Sequence, residues 1–128
     1  MIFKRFVTPK AQRTAGLPQD QDGLLGVLRS DADNALRHEA CRRLVRLADL
    51  REIAADDMDA GVRELATARY RRLLCGGHEE TPPLTERLDE IARIEDQRVI
   101  EQVAISAAEG DVRLAAIARL ESPDVLLT

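Results

Sequence analysis

Three stretches of the chain repeat one spacing of apolar and charged positions: DNALRHEACRRL (33–44), DAGVRELATARY (59–70) and EGDVRLAAIARL (109–120). In each, an acid is followed after two spacers by an aliphatic residue and then an arginine: Arg37, Arg63 or Arg113. Alanine stands three positions after this anchor, a second arginine six after, and Leu or Tyr seven after. At about 100° per residue, the position before the anchor and those three, four and seven after it share one helical stripe. In the first copy the stripe is Leu36, Ala40, Cys41 and Leu44; in the last it is Val112, Ala116, Ile117 and Leu120. A weaker copy, LTERLDEIARI (84–94), places Arg87, Arg93 and Ile94 at the same steps but carries Glu86 and Glu90 where the others have an aliphatic residue and alanine.

Thirteen positions before three of the anchors stand Leu24, Leu50 and Ile100, followed three later by Val27, Ile53 and Val103. The pattern predicts a short helix, a turn containing an acid, and a longer helix, used about four times with units of about 25 residues. One such unit cannot bury its apolar faces alone, whereas stacked units share a continuous core. The expected fold is all-α, an α-solenoid of helical repeats over 21–128 behind a basic segment or cap over 1–20.

The third unit breaks the rule. Its short helix is expected at about 74–80, yet the chain there reads CGGHEETPP. Gly76-Gly77 is a helix stop, and Thr81 with Pro82-Pro83 is a restart, so a loop over 75–83 interrupts the repeats. Cys75, His78, Glu79 and Glu80 form a candidate binding loop, since long loops often carry function. As a metal site the group is weak, because Cys75 and His78 are a lone pair and HEE lacks the second histidine of a zincin helix. At the other end, Ser122 and Pro123 signal a helix start, with Val125 and Leu126 at the steps of a fifth short helix. The chain is therefore expected to be the amino-terminal part of a longer protein, able to self-associate through this open end.

The anchor arginines project from within the apolar arc, so they are expected to be partly buried and to need acceptors. The acids upstream are the candidates: Asp31 and Asp33, Asp57 and Asp59, and Glu109. Arg63 in particular is expected to bond Asp57, Asp59 or the neighbouring unit's Asp31 or Asp33. Asp33 and Asp59 are also placed as N-caps. The stretches DMDAGVR (57–63) and DADNALR (31–37) resemble HEAT repeats, whose second helix follows an aspartate and begins with a Val-Arg pair. The resemblance covers 21–128 and implies an aspartate–arginine ladder between repeats, here Asp31, Asp33, Arg37, Asp57, Asp59, Arg63, Arg87 and Arg113, with the second helices lining a concave face. The opening MIFKRFVTPK ahead of such repeats is similar to the amino-terminal region of large proteobacterial proteins that carry a domain of unknown function numbered 349.

Composition adds little to this and contradicts none of it. Aromatic residues make up only 2% of the 128 residues, namely Phe3, Phe6 and Tyr70, so the core must come from aliphatic side chains, which suits closely packed helices. The net charge is −4, while 1–13 carries four positive charges and no acid, leaving the remainder at −8. An acidic body argues against phosphate binding, which needs a basic face. Phe3 and Phe6 are expected to cover the exposed end of the first repeat. Two cysteines, Cys41 and Cys75, give no disulfide framework and point to a reducing compartment, and MIFKRFV has no apolar core long enough for a signal peptide, so a cytoplasmic location is expected. No stretch approaches the length of a membrane span. No residue presents itself as catalytic, cofactor-binding or metal-ligating, and no cofactor is expected. The leading expectation is a non-enzymatic scaffold for a protein partner. The alternatives are a nucleic-acid-binding module, which would need a basic stripe on the concave face, and a lyase-like enzyme on helical repeats, whose acid and base cannot be identified.

Overall fold

A computed structural model describes residues 17–30 and 32–120. Among them the chain is all helical, with seven helices and no strand. They are α1 Gln21–Leu28, α2 Asn34–Arg43, α3 Leu47–Asp56, α4 Ala60–Cys75, α5 Leu84–Ile91, α6 Gln97–Ser106 and α7 Gly110–Leu120. None is long and apolar enough to cross a membrane. The signals at Ser122, Pro123, Val125 and Leu126, like Phe3, Phe6 and Asp31, lie outside the described residues.

Short polar residues start most of these helices by satisfying N–H groups that have no partner inside the helix. The Asp20 carboxylate accepts from Gly23 N, Asp33 from Leu36 N, Asp59 from Val62 N and Asp96 from Arg98 N. Pro83 precedes α5, where a fixed φ suits a helix start. Consecutive helices pack as hairpins, α1 on α2, α3 on α4 and α6 on α7, while α2 also meets α4, α4 meets α6, and α5 meets α7. The core is aliphatic, with Leu24, Leu44, Leu50, Leu74, Ile100 and Val112 fully buried. Ala40, Ala66 and Ala116 are 0% exposed, so the stripe position three after the anchor holds a small side chain against a neighbouring helix.

The helices repeat at fifty residues. Adding 50 to both ends of α3 gives both ends of α6, and adding 50 to the start of α4 gives the start of α7. The side-chain braces repeat at the same interval. Arg63 donates to the Asp57 carbonyl at 2.5 Å and Arg113 to the Ala107 carbonyl at 2.8 Å. Arg69 donates to the Leu44 carbonyl at 2.6 Å and Arg119 to the Ile94 carbonyl at 2.8 Å. Leu44 is the C-cap of α2, and Arg119 also takes the carbonyl of Ile91, the last residue of α5, so each of these arginines occupies a carbonyl that a finishing helix cannot satisfy by itself.

One place departs from this correspondence. After α2 the chain turns within three residues and α3 begins at Leu47, but α4 runs straight on past Tyr70 to Cys75. Its last turn therefore carries Leu73 and Leu74, both buried, and Leu74 stands where a separate short helix was expected to begin. The interruption begins one residue later than expected, at Gly76, because Cys75 is still helical.

Candidate functional site

Of the expected ladder arginines, Arg37 and Arg87 bond across hairpins, whereas Arg63 and Arg113 donate to main-chain carbonyls in the turn of their own hairpin. Arg37 donates through Nε to the Leu28 carbonyl at 3.0 Å and through Nη2 to the Asp57 carboxylate, joining α1, α2 and the α3–α4 turn. Asp57 also accepts from the Asp59 main-chain N–H at 2.9 Å. With its carboxylate so engaged, Asp57 meets Arg63 through its main-chain carbonyl alone, and neither Asp33 nor Asp59 meets Arg63. Asp33 serves as the N-cap of α2 and Asp59 as that of α4. Asp31 lies outside the described residues.

The other half uses a different acid. Where Asp57 stood there is Ala107, and Arg87 instead takes Glu109 in a bidentate pair, Nη1 to Oε1 at 2.6 Å and Nη2 to Oε2 at 2.7 Å. Arg87 also donates to the Pro82 carbonyl at 2.9 Å. This hydrogen-bonded guanidinium holds the Glu109 carboxyl below its ordinary value, against a smaller opposing effect of desolvation. Gly76 lies against the pair: a Cβ there would sit 2.7 Å from Arg87 Nη1 and 2.9 Å from Glu109 Oε1.

In the loop, His78, Glu79 and Glu80 are exposed, while Cys75 ends α4 half-buried. His78 Nε2 accepts from Arg72 Nε at 3.0 Å, and Glu80 pairs with Arg69 at 3.2 Å. Burial raises the Cys75 thiol, outweighing the opposing pull of Arg71, and pushes buried Cys41 up to about 11. Neither is primed as a thiolate nucleophile. Among the described residues no three His, Cys, Asp or Glu side chains are grouped to hold a metal ion.

A constellation not anticipated from sequence lies where the two fifty-residue halves meet. Glu90 of α5 is buried at a step where the other copies hold fully buried alanine. It accepts a hydrogen bond from the Tyr70 hydroxyl of α4 at 2.7 Å. Arg51 Nε of α3 lies 2.5 Å from the same carboxylate oxygen, though its N–H is not directed at it, so the contact is an ion pair without a hydrogen bond. Burial, followed by the carboxylate beside it, raises the Tyr70 phenol well above its ordinary value of 10. The signal was present as two oddities on corresponding stripes, an acid in an alanine step and the only tyrosine of the chain in a leucine step. Nothing local indicated that they would meet.

Beside this cluster is a cavity of about 360 Å³ between α3, the middle of α4 and the α5–α6 connection. Tyr70, Ile94 and Val99 give it apolar surface, and Arg51 and Arg93 bring two guanidinium groups to it. Arg93 is the counterpart of Arg69 and Arg119, and the carbonyl at the matching step belongs to Tyr70. Because α4 continues through that residue, the helix's own hydrogen bonds consume the carbonyl. The Arg93 side chain is left exposed, with no hydrogen-bond partner among the described residues.

Comparison of the chain with protein-family models, curated proteins and solved structures finds no match.

Proposed function

We propose that the chain is an α-solenoid of HEAT-like repeats that acts as a non-enzymatic scaffold for a protein partner, similar to the amino-terminal region of proteobacterial proteins carrying domain of unknown function 349. The observation that carries this reading is the reuse of one brace at fifty-residue spacing. Arg69 and Arg119 tie successive long helices through the same kind of main-chain acceptor, as stacked repeats require. Repeats stacked in this way leave one face of each long helix open, and that face is where solenoids bind. Leu114, on α7, is 65% exposed, an apolar side chain on such a helix in a strongly charged chain.

Site-specific photo-crosslinking tests it. A photoreactive residue at Ala68 or Ala118, exposed positions on α4 and α7, is expected to capture the same discrete protein in the cells of origin, whereas one at Gln102 on α6 is not. Capture of nucleic acid at Ala68 and Ala118, with binding that falls steeply as salt rises, would replace this reading with the nucleic-acid one. Absence of any discrete product at both positions would count against a scaffold.

A further inference from the structure

The junction cavity carries an inference that goes beyond the scaffold reading and stands whether or not a partner protein is found. Its walls hold both signs of charge. Arg51 brings Nε to 2.5 Å from Glu90, and its two Nη groups make no hydrogen bond among the described residues. Arg93 has lost to helix continuity the carbonyl that its counterparts use. Facing the same space are Asp56 at the end of α3 and Glu95 ahead of α6, both exposed and without a partner among the described residues. Glu52 and Asp96 also line it, but they are engaged with Arg29 and with the α6 N-terminus.

A simple anion in this space meets two guanidinium groups and an excess of carboxylates; a simple cation meets the two arginines. A molecule bearing both charges satisfies both walls. The volume of about 360 Å³ falls at the lower end of small-molecule pockets, which span about 300–1,000 Å³. We propose that the junction cavity binds a small zwitterion of amino-acid size, with its carboxylate on Arg51 and Arg93, its ammonium on Asp56 and Glu95, and its apolar part against Tyr70 and Val99. The buried Tyr70–Glu90 hydrogen bond fixes the ring that floors the site, so the pocket is formed before ligand arrives.

The test is a titration of the isotope-labelled protein followed by amide NMR, using the twenty free amino acids, with acetate and ethylammonium as single-charge controls. The expected result is saturable movement of the Thr67, Tyr70 and Val99 amides with at least one amino acid, and none with either control. Arg93→Ala is expected to weaken that binding by about ten- to a hundredfold, the loss of one hydrogen bond to a charged group, while leaving the melting temperature in place. Arg51→Lys, which keeps a positive charge beside Glu90 but removes the planar fork, is expected to weaken it as well. Saturation by acetate equal to that by the amino acids would make this a plain anion site and overturn the proposal. So would the absence of saturable shifts at these amides across the panel, or binding that survives Arg93→Ala unchanged.

Discussion

Arg87 and Glu109 meet as two parallel hydrogen bonds across 22 residues of sequence, and they fasten α5 to the turn between α6 and α7. The guanidinium is buried, 4% exposed, and the carboxylate is 42% exposed, so the acid is the member that solvent can titrate. The geometry is the planar, bidentate kind that distinguishes arginine from lysine.

That relationship makes part of the stability pH-dependent. The Glu109 carboxyl is lowered from 4.5 in the folded protein by its hydrogen bonds to Arg87, so its contribution is complete above pH 4.5. It is lost as pH falls through the lowered folded value. Melting curves of the wild type and Glu109→Gln should differ most at neutral pH and converge in acid. A gap that is constant down to the acid limit would show that the pair is not the source.

Arginines of one sequence register should differ in worth according to what they reach. Arg119 places Nη1 2.5 Å from the Ile91 carbonyl and Nη2 2.8 Å from that of Ile94, whereas the side chain of its counterpart Arg43, among the described residues, holds only Glu39 of its own helix at 3.2 Å. Arg119→Ala should cost about 1–3 kcal/mol, since it strands partly buried acceptors. Arg43→Ala, breaking an exposed pair four residues apart, should cost less than about 0.5 kcal/mol. Urea denaturation of the two variants checks the contrast.

Adjacent glycines should also differ. Gly76 has φ 80° and ψ −169°, a region that is essentially closed to other residues, and its missing Cβ makes room for Arg87. Gly76→Ala combines about 1–3 kcal/mol of backbone strain with displacement of the Arg87–Glu109 pair. Gly77 shares the positive φ, 85°, but a Cβ there would meet nothing closer than Ala108 at 3.8 Å. Gly77→Ala should therefore be the milder of the two when their denaturation midpoints are compared.

The single tyrosine permits a clean reading of the junction. Because the Tyr70 phenol is raised above 10, absorbance should show no phenolate in the native protein at pH values where the unfolded chain has ionised. Its contribution is whole below pH 10 and is lost as pH rises through the folded value. Tyr70→Phe, which removes a hydrogen bond to a buried carboxylate, should cost about 1.5–3 kcal/mol. Pairing Tyr70→Leu with Glu90→Ala returns both positions to the residue types of the other copies. The double variant should be less damaging than the sum of its parts, as calorimetry of the cycle would show.

The helices themselves were legible in the sequence because their determinants act within a turn or two of chain. Asp33 and Asp59 cap the next turn, the stripe from Val112 to Leu120 needs only the helical period, and Gly76-Gly77 ends α4 through its own backbone. Such short-range energies depend on residues three or four apart, which a linear reading compares directly. The partners of the arginines were not legible in this way. Whether Arg63 finds a carboxylate or a carbonyl depended on Arg37 reaching Asp57 from another hairpin. The largest miss, the Tyr70–Glu90–Arg51 cluster and the cavity beside it, followed from α4 continuing past Tyr70, where the other copies turn. No residue near Tyr70 forbids a turn or a helix, so burial of Leu73 and Leu74 in the shared core decided it. That contest between local propensity and tertiary burial has its outcome only in the folded molecule.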